Sequence, residues 1–167
     1  TRIGREIAAL RNIYDEHAGL QDRVRACGIV APALAARLGL PGLAGRASGQ
    51  DHDLRRDLPI APYDALAVRV ATHGDGDVAA RIAVRFDEAL ESLRLIRTIV
   101  ESMPAGPTRS ALPEPPAFKL GLGYVEGWRG PVFVALESGP GGSIRRCHPH
   151  DPSWSAWPVL EHAVIGN

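Results

Sequence analysis

Cysteine and lysine are the scarcest informative residues in this chain of 167 residues. Only Cys27 and Cys147 are present, and neither belongs to a Cys-x-x-Cys pair. This argues against a disulfide framework, a zinc ribbon and a cysteine-ligated cluster, and it favours a reducing, intracellular compartment. Lys119 is the only lysine, so arginine carries nearly all of the positive charge. The net charge of zero leaves no electrostatic footprint for nucleic acid, and we expect no such partner.

Long apolar runs and the common catalytic motifs are missing as well. No run approaches the roughly 20 apolar residues that cross a bilayer. No nucleophile elbow or P-loop occurs, and Gly121-Leu122-Gly123 precedes a strand, the wrong context for a dinucleotide fingerprint. A small hydrolase therefore has no supporting motif, and we predict no catalytic residue in this chain.

The ends of the sequence suggest a piece of a longer protein. The chain does not begin with Met, it starts inside a helical pattern, and it stops on Gly166-Asn167. Its length suits one domain with a real core. We therefore expect residues 1–167 to be a single domain that is an internal fragment.

Apolar periodicity predicts an α+β fold with two long helices, shorter helices and an antiparallel β-hairpin. The long helices are expected over residues 4–27 and 77–103, with a short helix over residues 32–38. Residues 39–65 lack a steady period, residues 65–70 could be a strand, and a Pro-rich connector precedes a strand over 124–137 broken at Gly130-Pro131. A Gly-Pro-Gly-Gly turn leads to a return strand over 143–148. Asp151-Pro152 then opens a last helix, expected to bury Trp154, Trp157, Leu160 and Val164.

One charged constellation follows a Gly-rich segment around Arg46. Small residues on both sides of Arg46 allow close backbone approach and could fix its guanidinium, while Asp53, Arg55, Arg56 and Asp57 follow shortly after. Two interpretations remain open. The residues form buried ion pairs, or they belong to a solvated charged loop, which is the usual place for such side chains.

A second constellation lies along the predicted helix 77–103. Asp77, Arg81, Arg85, Glu88 and Ser92 fall within one narrow stripe beside the apolar face. The spacing would allow Asp77–Arg81 and Arg85–Glu88 pairs, either as an ordinary salt-bridged helix or as a strip where the helix meets a neighbour.

Histidines give no metal site. His148 and His150 would share a strand face, but Pro149 lies between them and no distant Cys or His pair completes a ligand set. His17 lies on an apolar stripe and is expected to be a core histidine.

Several short motifs occur together in one order along the whole chain. They are Gly45-Arg46-Ala47-Ser48-Gly49, Asp53-x-Arg55-Arg56, Tyr63-Asp64, Gly76-Asp77 followed by Arg81, Arg85, Glu88 and Ser92, Glu126-Gly127-Trp128-Arg129-Gly130, Arg146-Cys147 and Asp151-Pro152-Ser153. The ordered set resembles the large subunit shared by the quinone side of complex I (NADH-quinone oxidoreductase) and membrane-bound nickel–iron hydrogenases. The amino-acid sequence of residues 126–130 and 151–154 is most similar to the formate hydrogenlyase type.

This resemblance implies a role in a redox complex on the cytoplasmic side of the inner membrane. The parent protein would use a Ni–Fe centre or quinone, with iron–sulfur clusters in a small partner subunit. The complex I branch also implies an association with NAD-binding, NADH-oxidising complexes. The Cys-x-x-Cys motifs that hold Ni–Fe are missing here, so no cofactor is expected within this chain. Pro131 stands where the family usually has an acidic residue, which departs from the pattern at that turn.

Two functions from different classes follow. In the first, the chain is the structural core behind the Ni–Fe or quinone cavity, without catalysis of its own. The residues expected to brace that wall are Arg46, Asp53, Arg55, Asp77, Arg81 and Glu88. In the second, the chain is a free-standing interaction domain descended from this subunit, and exposed apolar faces of an isolated piece could make it a homodimer.

Overall fold

The structure is a computed structural model that describes residues 1–165. The helices are α1 (Arg2–Glu16), α2 (Ala18–Val24), α3 (Pro32–Leu38), α4 (Gly42–Ala47), α5 (Leu54–Asp57), α6 (Val78–Ser102) and α7 (Ser153–Ala163). The strands are β1 (Leu120–Gly127), β2 (Gly130–Ser138) and β3 (Ile144–His150). Short 3-10 turns lie at Tyr63–Ala65 and Pro140–Gly142. The predicted α+β class is confirmed.

Helix α6 is the element around which the helical part is built. The Asp77 side chain accepts a hydrogen bond from the Ala80 amide and begins the helix, and the helix ends just before Pro104. Helix α1 packs antiparallel to α6, since Gly4 lies beside Leu93 and Arg11 pairs with Asp87 at 2.6 Å. The second long helix therefore exists where it was predicted, and α1 forms the first part of the other.

The first long helix, however, is interrupted at His17. Its backbone leaves the helical region, and its Nδ1 atom accepts a hydrogen bond from the Leu20 amide at 3.1 Å, which caps α2. His17 is exposed, so the prediction of a core histidine was wrong. The physical reason is that a ring nitrogen next to free helix amides replaces the hydrogen bonds lost at the break.

The buried core consists of two small apolar clusters that meet at α4. Val30, Ala35, Leu40 and Val159 form one cluster, and Leu43, Ala47, Ala80 and Val84 form the other. Residues 39–65 were expected to be irregular, yet they contain α4, α5 and a 3-10 turn. Helix α4 is nearly all buried, and it carries the Gly45–Ala47 segment into the interior between α6 and the sheet.

The strand predicted over residues 65–70 is not formed. This segment is extended at Leu66, but its polar backbone atoms bind side chains of α6 instead of another strand. The Arg69 amide donates to Glu91 at 3.0 Å, and the Ala67 carbonyl accepts from Arg94 at 2.6 Å. Alternating apolar residues predicted the extended backbone correctly and its partner wrongly.

The sheet has three antiparallel strands in the order β1-β2-β3. It therefore contains two consecutive hairpins, one turning at Trp128-Arg129 and one at residues 139–143. The first turn docks against α4, where a Cβ on Gly42 would lie 2.2 Å from the Arg129 carbonyl oxygen. Gly42 has φ +62°, so both its backbone and its surroundings require glycine.

Helix α7 buries a different residue from those expected. Trp154, Trp157, Leu160 and Val164 are all exposed, and Val159 is the buried residue of this helix. Asp151 does cap the start, since its Oδ1 accepts from the Ser153 amide at 2.9 Å. The prediction of a buried aromatic face was wrong, because the packed face is set by α3, which offers only a narrow contact. Within residues 1–165, no helix combines the length and low polarity needed to cross a membrane.

Candidate functional site: a buried charge network beside an open cleft

Arg46 is the centre of a buried network of ion pairs. Helix α4 holds it inside the protein, where 2 % of the residue is exposed. Its Nε donates to Glu88 at 2.5 Å, and its Nη1 donates to Glu126 and to the His52 carbonyl, both at 3.0 Å. Asp53 lies 3.8 Å away. A buried guanidinium needs such partners because an unpaired charge in the interior is strongly unfavourable. The interpretation of a solvated loop is therefore wrong for Arg46.

Asp53 and Arg55 extend the network into α5. Asp53 is as deeply buried as Arg46, and Arg55 grips both of its oxygens, with bonds of 2.9 Å and 2.6 Å. The hydrogen bond from Arg55 to Asp53 raises the pKa of this arginine. Asp53 also accepts from the Arg55 amide at 3.0 Å and so begins α5. One carboxylate thus joins a helix start to two guanidinium groups.

Glu126 is the member of the network that sequence reasoning missed as a site residue. It lies on β1, and its side chain is 4 % exposed. Besides Arg46 it accepts a hydrogen bond from the Leu54 amide at 3.1 Å. Burial raises the pKa of Glu126 above its ordinary value, against the opposing effect of these two donors. The available signal was a lone acidic residue at an otherwise apolar strand end, inside the motif of residues 126–130.

Asp77 and Arg81 form a separate cluster at the beginning of α6. Asp77 accepts from the Ala80 and Ala26 amides at 2.7 Å and 2.8 Å, which ties the loop after α2 to the helix. Arg81 donates to the carbonyls of Gly28 and Gly76 at 3.0 Å and 2.8 Å. Burial lowers the pKa of Arg81. These two residues hold backbone in place and have no contact with Arg46.

The two predicted helical ion pairs are not formed in the described chain. Asp77 and Arg81 each bind backbone atoms, as described above, and Glu88 turns to Arg46. Arg85 instead lies over the ring of Trp128, with its Cζ 4.4 Å from the ring centroid. Spacing along the helix permitted both pairs, but these side chains bind backbone atoms or side chains of other elements instead.

An open cleft of about 350 Å³ borders the Arg46 network. Its walls combine charged, polar and aromatic side chains from α4, α5, α6 and the end of β1. The lining residues are Arg46, Arg55, Arg85, Glu88, Ala89, Ser92, Glu126, Gly127 and Trp128. Four of the six predicted site residues, Arg46, Asp53, Arg55 and Glu88, thus belong to one network, and three of these four line the cleft.

The residues of this chain do not suit a Ni–Fe centre. Such a centre requires several thiolate ligands, whereas Cys27 is a free thiol in the loop after α2 and Cys147 is a free, exposed thiol on β3. His148 and His150 are also exposed on β3. Within residues 1–165, no three His, Cys, Asp or Glu side chains are grouped so that they could hold a metal ion.

Comparison with known proteins decides the family. The profile of the respiratory-chain NADH dehydrogenase 49 kDa subunit matches residues 1–120. This chain belongs to that family. The match to the 49 kDa family confirms the resemblance found in the sequence. The matched range includes Arg46, Asp53, Arg55, Asp77, Arg81 and Glu88.

Individual relatives of this 49 kDa family member include both oxidoreductase types. A carbon monoxide-induced hydrogenase of Rhodospirillum rubrum is 31 % identical over 92 % of this chain. A subunit of the NADH-quinone oxidoreductase of Sinorhizobium medicae is 45 % identical over 54 % of the chain. The chain spans 43 % and 22 % of the lengths of these two relatives.

The fold is also found in a solved respiratory complex. A chain of the membrane-bound sulfane sulfur reductase, an archaeal respiratory membrane complex, matches 99 % of this chain with a TM-score of 0.87. The two are 24 % identical, and the match covers 47 % of the solved chain. This likeness establishes the fold of residues 1–165.

Proposed function

We propose that this chain forms the structural core behind the redox cavity of a membrane-associated oxidoreductase, and that it catalyses no reaction alone. The observation that carries the proposal is the network around Arg46. It joins α4, α5, α6 and β1 through buried charges at the wall of an open cleft. The 49 kDa family, with its hydrogenase and NADH-quinone oxidoreductase relatives, supports a redox parent.

The buried charges act by position in this proposal. Asp53 and Glu126 bind backbone amides as well as guanidinium groups, so they fix the ends of elements and orient Arg46. Asp77 and Arg81 do the same for the loop that precedes α6. Fixed charges in a region of low dielectric also set the local electric field. Groups that do not touch a cofactor can change the properties of the cofactor through this field.

The parent protein is expected to use a Ni–Fe centre or quinone, with iron–sulfur clusters in a small partner subunit. The thiolates of a Ni–Fe centre would come from outside residues 1–167, because this chain offers two unpaired cysteines. We place the complex at the cytoplasmic face of the inner membrane, as a peripheral assembly. The assignment to the formate hydrogenlyase type stays a prediction from the sequence of residues 126–130 and 151–154.

The test uses the full-length parent in its complex together with the isolated chain. Hydrogen oxidation and quinone reduction are measured for the complex with wild-type sequence, with Arg46→Gln and with Arg97→Gln. Arg97 is an exposed arginine on the same helix as Glu88 and serves as the control. We expect Arg46→Gln to lower activity several-fold, Arg97→Gln to leave it unchanged, and the isolated chain to be inactive. Turnover by the isolated chain would refute the proposal.

One observation favours a second candidate, a free-standing interaction domain without redox activity. Helix α7 exposes two tryptophans, Trp154 at 72 % and Trp157 at 66 %. The apolar residues Val164 and Ile165, which follow the helix, are exposed as well. Large exposed aromatic residues are typical of surfaces that bind another protein. Reading the gene before Thr1 and after Asn167 separates the two candidates. Cys-x-x-Cys motifs on both sides would favour the hydrogenase-type subunit, and a start and stop codon at these positions would favour the interaction domain.

A further inference from the structure

The polar strip of α6 has two members that the buried network does not use. Asp77 and Arg81 bind backbone at the start of the helix, and Glu88 pairs with Arg46. Arg85 and Ser92 lie on the same side of the helix as Glu88, and both line the open cleft. Their side chains are therefore available to a group that enters from outside.

Arg85 contacts Trp128 and has no counter-ion among residues 1–165. The Cζ atom of its guanidinium lies over the Trp128 ring, 4.4 Å from the ring centroid. None of its N–H groups donates a hydrogen bond within residues 1–165, so they are available to an incoming acceptor. Across residues 1–165, no carboxylate oxygen lies within 4.0 Å of its nitrogens. By contrast, the other two arginines of the cleft, Arg46 and Arg55, each bind a carboxylate at 3.0 Å or less.

The charges behind Arg85 select the kind of anion that can enter. Glu88 and Glu126 line the same cleft, and together with Asp53 they outnumber the guanidinium groups of Arg46 and Arg55 by one. A doubly charged phosphate would be repelled by these carboxylates. A single planar carboxylate could accept two parallel hydrogen bonds from the edge of Arg85 with less repulsion.

We propose that Arg85, in contact with Trp128, binds the carboxylate of an aspartate or glutamate side chain on a neighbouring polypeptide. Trp128 is 64 % exposed and Arg85 is exposed too, so a partner can reach both. Tryptophan and arginine are the residues most enriched at the centre of protein interfaces. The identity of the neighbour as a subunit of a redox complex rests on the proposed function, whereas the carboxylate site does not.

The experiment titrates the full chain with the peptide N-acetyl-Gly-Glu-Gly-amide and follows the Nε–Hε resonance of Arg85 by NMR. The matched peptide with Gln in place of Glu, and inorganic phosphate, are the comparison ligands. We expect a saturable shift with the Glu peptide only. Arg85→Gln should weaken binding, read from backbone amide shifts around Trp128, on the order of tenfold. Arg97→Gln, at an exposed site of the same helix, should change nothing.

Several results would overturn the carboxylate site. They are an equal shift with the Gln peptide, tighter binding of phosphate, or unchanged binding by Arg85→Gln. Arg85→Lys keeps the charge without the planar fork, and it should bind more weakly than wild type. Because the measurement needs no redox activity, its failure leaves the proposed oxidoreductase role standing, and failure of that role leaves the binding result standing.

Discussion

Replacement of Arg46 by Ala tests the buried network most directly. The change removes the guanidinium that binds Glu88 at 2.5 Å and Glu126 at 3.0 Å, and it leaves Arg55 as the cation among three carboxylates. Loss of one partner from a buried ion pair costs about 3–5 kcal/mol. For a chain of this size, that corresponds to a fall in Tm of roughly 6–20 °C.

The loss should depend on pH in a definite direction. The pKa of Glu126 is already raised by burial, and removal of the Arg46 hydrogen bond takes away one effect that lowers it. A carboxyl group whose folded pKa lies above its unfolded value destabilises the fold increasingly as pH rises between the two values. We therefore expect a smaller difference between wild type and Arg46→Ala at pH 5 than at pH 8.

Thermal melting followed by circular dichroism, together with urea unfolding at both pH values, measures these effects. Arg97→Ala is the control, since an exposed arginine away from such contacts should change stability by less than about 0.5 kcal/mol. An Arg46→Ala midpoint within 2 °C of wild type (about 1 kcal/mol or less) would place Arg46 in solvent and refute the buried network. A difference that grows towards pH 5 would refute the account of Glu126.

Three further predictions concern single side chains or glycines. Glu126→Gln should lose less stability relative to wild type at pH 8 than at pH 5, because the variant has no buried carboxyl group whose ionisation opposes folding. Urea unfolding across this pH range measures the trend. A stability difference between the two proteins that does not change with pH would contradict the prediction. Gly42→Ala should cost about 1–3 kcal/mol more than Gly39→Ala, because both have positive φ but only Gly42 faces the Arg129 carbonyl; equal melting points would show that the turn moves freely. Burial raises the pKa of Glu91, but hydrogen bonds from Arg94 and the Arg69 amide together lower it by more, so its pKa in the folded state lies below its ordinary value. Glu91→Gln should therefore destabilise the fold at pH 7, and this effect should disappear as pH falls below about 4. Melting at pH 7 and pH 3 checks this.

Local signals explain which elements could be predicted. Helix α6 has an Asp cap before it, Pro104 after it and an apolar stripe between, so its limits came within a residue or so of the prediction. The break at His17 was missed because the apolar period continues across it. The extended segment before α6 was recognised, but its partner was not, since Glu91 and Arg94 lie more than twenty residues away.

The sequence by itself determined the family and the α+β class, and it singled out Arg46, Asp53, Arg55 and Glu88 as candidate site residues. Those conclusions depend on the order of residues and on short-range periodicity, and both can be seen in the sequence without a structure. Only the tertiary structure decided that Glu126 completes the network, that Arg85 faces Trp128 and that the tryptophans of α7 are exposed. Partner choice for a charged side chain depends on distance and burial across elements far apart in the chain, and spacing along one helix cannot supply either.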